Sequence, residues 1–205
     1  MEYESFTTLK ETTETKTQVK GSVFYCHSYP VQNPDEAHSI LENLKGKYYD
    51  ATHLCYALNL AGNKIRYSDS GEPSGTAGVK IFNAIRHFNL TNVLVVVIRY
   101  FGGTKLGIGP LGKAYYSAAY ANLDAAVKLE KKKYIHLTIT TGFEFTGSIY
   151  RLASLYDFKI TDTSFSDVVV MDVMVLPENY AKLVEELKNI SNGKIQIKTV
   201  ENLFF

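Results

Sequence analysis

The order of apolar and polar positions divides the first part of the chain into alternating strands and helices. Residues 1–18 are polar and are predicted to form a loosely held arm or an edge strand, followed by a strand at 19–29. A helix with Asn33 as its N-cap and a proline in its first turn comes next. Residues 52–60 are predicted to be a strand that turns back into a second strand at 64–68.

A buried central strand follows these elements. Residues 93–98 are six consecutive apolar residues, most of them β-branched, which is typical of a strand buried on both faces. The amphipathic helix before this strand is predicted to use Ser74 or Thr76 as its N-cap. A further helix is predicted from about Pro110 to Ala126, and its regularly spaced alanines allow close packing on a sheet.

The second part of the chain predicts a separate small domain. The charged run at residues 128–133 is predicted to be a solvated connector, so that the domains are 1–128 and 134–205. The remaining pattern gives the βαββαβ order of a ferredoxin-like domain, and the fold class is therefore α+β. Apolar and polar residues alternate along the first of these strands, so one sheet face should be polar. His136, Thr138 and Thr140 on that face include no Phe, Tyr or Trp, unlike the RNA-recognition motifs that stack bases there.

Composition limits the classes of protein to which the chain can belong. Its 205 residues are 45% hydrophobic and 21% charged, as in an ordinary globular protein. No run approaches the roughly 18 apolar residues of a transmembrane helix, and the N-terminus has no apolar signal segment. The two cysteines form no CxxC pair and no disulfide framework. We therefore expect a cytoplasmic protein without a membrane partner.

The net charge of +1 conceals a local excess of positive charge. Residues 62–113 include seven basic and two acidic residues. Clustered positive charge attracts anions or nucleic acids, although an ordinary solvated surface can have the same composition. This window also contains two glycine-rich segments, SDSGEPSGTAG at 68–78 and RYFGGTKLGIGPL at 99–111, and both lead into predicted helices.

The second glycine-rich segment is the better site candidate. Its glycines precede a helix N-terminus, where free backbone N–H groups and the helix dipole favour an anion. Nearby basic and aromatic side chains offer charge and a stacking surface for bases. Alternatively, the glycines serve only tight turns and close helix–sheet packing. The predicted nucleic-acid- or anion-binding residues are Arg66, Arg99, Tyr100, Phe101, Gly102, Gly103, Lys105, Gly107, Gly109 and Lys113.

The first glycine-rich segment contains the two acidic residues of the window, Asp69 and Glu72, and two further loop candidates, Ser74 and Thr76. Two carboxylates this close together could hold a cation or act as acid and base. A turn-stabilising role is favoured, because Asp-Ser-Gly is a common turn sequence.

Three sequence patterns resemble known functional motifs, but none of them is predicted to have that function. Residues 107–113 have the glycine and lysine spacing of a phosphate-binding P-loop, but Ala114 replaces the hydroxyl that would bind magnesium. The same glycines match a dinucleotide fingerprint, yet Pro110 interrupts it and no acidic strand end follows. His53 and Cys55 share a strand face, where a buried core cysteine is favoured over a catalytic thiolate. No catalytic residue, metal site or cofactor is predicted.

Three strings in this order resemble the YigZ/IMPACT family: DATHLCYA at 50–57 and the two glycine-rich segments. The resemblance covers nearly the whole chain. It implies an N-terminal two-layer α/β domain similar to domain IV of elongation factor G and a C-terminal ferredoxin-like domain similar to domain V. Eukaryotic members regulate translation through a protein partner, and for the bacterial members the resemblance implies a nucleic-acid- or ribosome-associated role.

The chain departs from the family pattern at three positions. Ser70 stands where a second Asp is usual, and Pro110 and Lys113 stand where Gly and Arg are usual. Lys113 keeps the positive charge but loses the planar, bidentate fork of Arg. The predicted function is a non-catalytic RNA- or ribosome-associated translation regulator. The alternatives are a translation regulator that binds only protein, and an enzyme acting on a phosphate or nucleotide ligand. The oligomeric state is not predicted.

Overall fold

The computed structural model describes residues 5–204, which form two compact units, the first ending at Glu130 and the second beginning at Lys131. The described residues contain five α-helices and two β-sheets, so the fold has the α+β class that the sequence predicts. In this part of the chain, no helix combines the length and the apolar character needed to cross a membrane.

The first unit is built on a five-stranded sheet. The six strands of this unit are β1 (Ser5–Leu9), β2 (Thr13–Val19), β3 (Ser22–Pro30), β4 (His53–Leu60), β5 (Lys64–Ser68) and β6 (Val93–Tyr100), and all but β1 belong to the sheet. Its helices are α1 (Pro34–Lys47), α2 (Gly78–His87) and α3 (Ile108–Ala125). The sheet order is β2-β3-β6-β4-β5, and every neighbouring pair is antiparallel. β1 lies outside this sheet and accepts a hydrogen bond at Thr7 from the Thr91 N–H.

The central strand β6 has the double burial that its apolar run predicts. Val93, Val95 and Val97 pack into one core with α2 and α3. The alternate residues of β6 pack into a second core with α1 on the opposite face. Helices therefore cover both faces of this sheet, whereas the family resemblance implied two layers.

One local prediction near the N-terminus is wrong, and another is confirmed in its edge-strand alternative. The predicted strand at 19–29 is divided between β2 and β3, because Lys20 and Gly21 form a tight turn with φ values of 46° and 82°. The predicted arm at 1–18 contains β1 and the edge strand β2, and its first four residues lie outside the described residues. The cap of α1 is confirmed, since the Asn33 side chain accepts a hydrogen bond from the Glu36 N–H.

The second unit has the predicted βαββαβ order. Its elements are β7 (Lys128–Thr141, which begins within the end of the first unit), α4 (Thr146–Leu155), β8 (Lys159–Phe165), β9 (Val169–Val175), α5 (Pro177–Ser191) and β10 (Gln196–Phe204). The four strands pair antiparallel in the order β8-β9-β7-β10, with Leu137, Ile139, Val173 and Leu183 in the core. The charged run 128–133 belongs to β7 and is not a loop connector. Strand pairing uses the backbone, so charged side chains do not prevent it when they face solvent.

Candidate functional site between the two glycine-rich loops

The antiparallel order of the first sheet brings the two glycine-rich segments to the same sheet edge. β5 and β6 both run antiparallel to β4, so both end where β4 begins. The loop at residues 69–77 follows β5, and the loop at residues 101–107 follows β6. We refer to them as the 69–77 loop and the 101–107 loop. The sequence alone left open whether these loops meet in space.

Both loops line one cavity, and the 69–77 loop also lines a second. The larger cavity, of about 510 Å³, is lined by Thr52, His53, Gly71, Glu72, Pro73, Arg99, Phe101, Lys105, Leu106, Gly107, Ile108 and Leu111. The smaller, of about 460 Å³, is lined by Ser74, Gly75, Thr76, Lys80, Asn83, Ile108, Gly109, Gly112, Lys113 and Tyr116. Ile108, in the first turn of α3, lines both. The loops and the start of α3 therefore form one continuous region.

A buried ion pair lies at the floor of the larger cavity. The Glu72 side chain is 4% exposed and that of Arg99 is 6% exposed. Glu72 Oε1 accepts hydrogen bonds from Arg99 Nη1 at 2.6 Å and from the Tyr115 hydroxyl at 2.7 Å. Arg99 Nη2 also donates to Ser22 Oγ at 3.3 Å. A buried charge needs such partners, so each member of this pair neutralises the other.

His53 lies beside this ion pair in a fixed orientation. Its Nδ1 is 2.9 Å from the carbonyl oxygen of Ser70, and a carbonyl can only accept, so Nδ1 carries the proton. The other ring nitrogen, Nε2, lies 3.7 Å from Glu72 Oε2. Among the described residues, Glu72 Oε2 has no hydrogen-bond partner, in contrast to Oε1. An acceptor oxygen and a ring nitrogen thus face each other without a direct hydrogen bond.

Asp69 stabilises the fold of the 69–77 loop and the start of α2. Its Oδ2 accepts from the Gly75 N–H at 2.8 Å, and its Oδ1 accepts from the N–H groups of Ala77 and Gly78 at 2.9 and 2.8 Å. Burial tends to raise the pKa of Asp69, but these three N–H groups outweigh it and hold the pKa below its ordinary value. This is the turn-stabilising arrangement that the Asp-Ser-Gly sequence favours.

The predicted caps of α2 are therefore wrong. The N-cap residue is Ala77, and its side chain makes no capping hydrogen bond. Ser74 is exposed, and the Thr76 hydroxyl donates to the Pro73 carbonyl at 2.6 Å. The carboxylate of Asp69 reaches the helix start from eight and nine residues upstream, because the loop folds back on itself.

Cys55 has the character of a core residue. It is fully buried, and its thiol lies 2.9 Å from the Asp69 carbonyl oxygen. Burial raises the pKa of Cys55 to about 12, so the residue is a neutral thiol near pH 7. His53 is directed towards Glu72 and Ser70, which agrees with the sequence interpretation of a buried cysteine over a catalytic dyad.

The predicted binding residues do not all come together. Lys105 and Phe101 line the larger cavity, and Lys113 and Gly109 line the smaller. Arg66 is exposed on the edge strand β5 and lines a separate cavity of about 260 Å³. Arg99 lines the larger cavity but is held in the buried ion pair, and the Tyr100 hydroxyl donates to Asp50 Oδ1 at 2.7 Å. That hydrogen bond raises the pKa of Tyr100 to about 12.

Three glycines of the second segment serve the backbone. A Cβ at Gly102 would lie 1.9 Å from the carbonyl carbon of Gly21, so this position allows only glycine. Gly103 has φ of 83°, and Gly107, the N-cap of α3, has φ of 84° and ψ of 156°. Such conformations strongly favour glycine. The packing alternative is thus correct for Gly102, while Gly107 both permits the turn and lines the larger cavity.

Several residues of the site were not found from the sequence. Ser22 and Tyr115 contact the ion pair from β3 and α3, and Lys80 lines the smaller cavity from α2. None of them lies in a glycine-rich segment, although Lys80 lies in the positively charged window 62–113. The roles of Ser22 and Tyr115 depend on contacts 77 and 43 residues apart in sequence, which local patterns do not contain.

Within the described residues, no group of three or more His, Cys, Asp or Glu side chains is arranged to hold a metal ion. The fold and the site together define a two-unit α+β protein with a lysine-containing cavity region between two glycine-rich loops. The family model of the Impact N-terminal domain matches residues 20–123.

Similar proteins extend this match to nearly the whole chain. The chain is 30% identical over 199 residues to the IMPACT family member YvyE of Bacillus subtilis, covering 96% of this chain and 92% of that protein. It is 26% identical over 189 residues to the IMPACT family member YigZ of Escherichia coli, covering 90% and 92%. The chain therefore belongs to the IMPACT family, as its three characteristic strings predict.

The similarity also reaches eukaryotic proteins and a solved structure. Protein IMPACT of Oryctolagus cuniculus is 34% identical over 93 residues, which are 43% of this chain and 29% of that protein. A crystal structure described as that of an hypothetical protein has a TM-score of 0.69 at 25% identity, covering 97% of this chain and 98% of that one. The likeness to domains IV and V of elongation factor G stays a prediction.

Proposed function

We propose that this IMPACT family protein is a non-catalytic RNA- or ribosome-associated regulator of translation, and that phosphate groups of RNA bind at the two cavities between the glycine-rich loops. The observation that carries the proposal is the convergence of lysines from separate elements. Lys80 comes from α2, Lys105 from the 101–107 loop and Lys113 from α3.

These lysines have no competing carboxylate at the cavities. Among the residues that line the two cavities, Glu72 is the one acid, and its charge is balanced by Arg99. Asp69, the other acid of the window, accepts three backbone hydrogen bonds. Positive potential is therefore available to a ligand, and phosphate contacts of this kind supply most of non-specific RNA affinity.

The start of α3 and an exposed aromatic ring add to this surface. No side chain caps α3, and no acid lies in its first turn, so this end favours negative charge. The Phe101 ring is 45% exposed and lines the larger cavity, where an unpaired base could stack on it. We propose that Lys105, and not Arg99, contacts phosphate, because Arg99 is paired with the buried Glu72 carboxylate.

Filter binding with a structured RNA tests the proposal. Lys105→Gln/Lys113→Gln should weaken binding of all sequences and make the slope of log affinity against log salt shallower by about 1.5, as for two lost phosphate contacts. The matched control is Lys45→Gln/Lys64→Gln, since both residues are exposed in the same unit but line neither cavity. An equal loss in both variants, or no loss in the first, would contradict the proposed surface. Arg66→Gln tests the sequence-based prediction that Arg66 binds nucleic acid. This variant should bind RNA as the control variant does.

A protein partner is the second candidate. In the second unit, the rings of Phe143 and Phe165 stack with centroids 6.3 Å apart and are 56% and 63% exposed. Exposed paired aromatics favour protein contact. Pull-down with the native chain and with Phe143→Ser/Phe165→Ser from nuclease-treated lysate separates the candidates. A partner that survives nuclease and requires the two rings would support this reading, and its loss on nuclease treatment would support RNA.

A further inference from the structure

Two polar atoms, Glu72 Oε2 and His53 Nε2, face each other at the floor of the larger cavity without a hydrogen bond between them. Glu72 Oε1 already accepts two hydrogen bonds, whereas Oε2 accepts none from the described residues, although the side chain is only 4% exposed. His53 Nδ1 donates to the Ser70 carbonyl, so Nε2 is the ring nitrogen left to accept a hydrogen bond. Nε2 and Oε2 are 3.7 Å apart, and two acceptors this close gain no attraction from each other.

The charge of the floor indicates which donor fits. Arg99 balances the carboxylate of Glu72 at 2.6 Å, so the floor as a whole is neutral and does not require a cationic ligand. Neutral hydroxyl groups fit better. The two oxygens of a vicinal diol lie close enough together for one hydroxyl to donate to Oε2 and the other to Nε2. Carboxylates bind ribose hydroxyl groups in this way in other nucleotide sites.

The rest of the cavity suits the remainder of a nucleotide. Its volume of about 510 Å³ lies within the usual range for small-molecule sites, about 300–1,000 Å³. Lys105 at the rim offers a charge for a phosphate, and the half-exposed Phe101 ring offers a stacking surface for a base. Hydroxyl acceptors, a cation and an aromatic ring thus surround one cavity.

We infer that the larger cavity binds a ribonucleotide through its 2′,3′-diol, with Glu72 Oε2 and His53 Nε2 accepting from the two hydroxyl groups. The inference rests on the proposed function in taking the 3′ end of RNA as one source of this group; a free ribonucleotide is the other. Internal RNA residues lack a free diol, and DNA lacks the 2′-hydroxyl. The site would therefore distinguish RNA ends from DNA and from internal RNA.

Fluorescence anisotropy with three RNAs of one sequence tests the inference. They differ only in the last sugar, which is ribose, 2′-deoxyribose or 3′-deoxyribose, so all three have the same phosphates. The native chain should bind the RNA with the ribose end at least about 10-fold more tightly than either deoxy RNA. Each deoxy end lacks one hydroxyl group and therefore leaves one of the two acceptors unpaired in the complex. Equal binding of the three ends would exclude the 3′ end of RNA as the ligand while leaving the phosphate surface intact.

Adenosine 5′-monophosphate and its 2′-deoxy analogue distinguish the two sources. If no RNA binds, but the native chain prefers the ribonucleotide, the proposed function fails and the site serves free ribonucleotides. If neither the RNA ends nor the mononucleotides show a preference, the inference is refuted.

A histidine variant with a matched control assigns the preference to this site. His53→Phe keeps a planar ring and removes the acceptor, and should reduce the 10-fold preference to about 3-fold or less. The control is His38→Phe, the same change at an exposed position of α1, which should retain the full preference. Retention of the preference in His53→Phe would contradict the assignment. The comparison of the three ends on the native chain holds even if His53→Phe folds poorly.

Discussion

Replacing Glu72 by Gln should destabilise the first unit by leaving the Arg99 guanidinium buried without a counter-charge. The two side chains are almost fully buried, and the Glu72 Oε1–Arg99 Nη1 distance is 2.6 Å. Gln has nearly the same volume as Glu, and its amide oxygen can still accept from Arg99 or from the Tyr115 hydroxyl. The substitution therefore removes charge and leaves the packing in place.

The expected magnitude follows from this geometry. Breaking a buried ion pair by removing one partner costs about 3–5 kcal/mol. The retained amide oxygen offsets part of that cost, so we expect a loss of about 3 kcal/mol in the free energy of unfolding. In the double variant Glu72→Gln/Arg99→Met no buried charge remains. Its loss should be smaller than the sum of the two single losses by about 2 kcal/mol.

Hydrogen exchange is the suitable assay, because the chain has two units and no tryptophan, so a single global signal would mix their transitions. The amides of β6, in the centre of the first sheet, report the stability of this unit directly. Exchange of these amides should become about 100-fold faster in Glu72→Gln, which is the equivalent of about 3 kcal/mol.

A surface carboxylate provides the control for this prediction. Glu42 pairs with Lys45 at 2.8 Å on the solvent-facing side of α1, and Glu42→Gln should leave β6 exchange unchanged, since exposed pairs contribute little. Unchanged exchange in Glu72→Gln, or strictly additive losses in the double variant, would show that the buried pair is not energetically coupled.

Three further predictions concern the loops and the sheet. Asp69→Ala removes three N–H hydrogen bonds and should lower the free energy of unfolding by about 2 kcal/mol, with the fastest exchange at the start of α2; unchanged protection there would contradict the capping role. Gly102→Ala should lower the melting temperature strongly, because the added methyl group would lie 1.9 Å from a facing carbonyl carbon, whereas Gly109→Ala, with open space around it, should melt near the native temperature. Burial lowers the pKa of His27 below its ordinary value and outweighs the Glu14 carboxylate 3.1 Å away, so the unfolded chain binds a proton more readily than the native chain. Stability should therefore fall as pH decreases through about 6.5, and His27→Gln should flatten that part of a pH titration of urea midpoints; an identical slope would refute the assignment.

The sequence by itself determined the elements that depend on neighbours along the chain. The apolar run of β6 requires burial on both faces wherever the strand lies, and Asn33 caps α1 through an N–H only three residues away. The βαββαβ order of the second unit follows from the apolar periodicity of its segments in the same way. The three characteristic strings also identify the family, because each is a short run of consecutive residues that the sequence shows directly.

Only the tertiary structure decided how the candidate site is organised. Arg99 was predicted to bind phosphate, but it pairs with Glu72, which is 27 residues away in sequence and meets it because β5 and β6 end at the same edge. Arg66 lies in the same positively charged window and faces a different cavity. A charge is available to a ligand only if no buried partner neutralises it, and strand order and loop folding determine that partner. Composition located the region of the site, and long-range contacts determined which of its residues a ligand can reach.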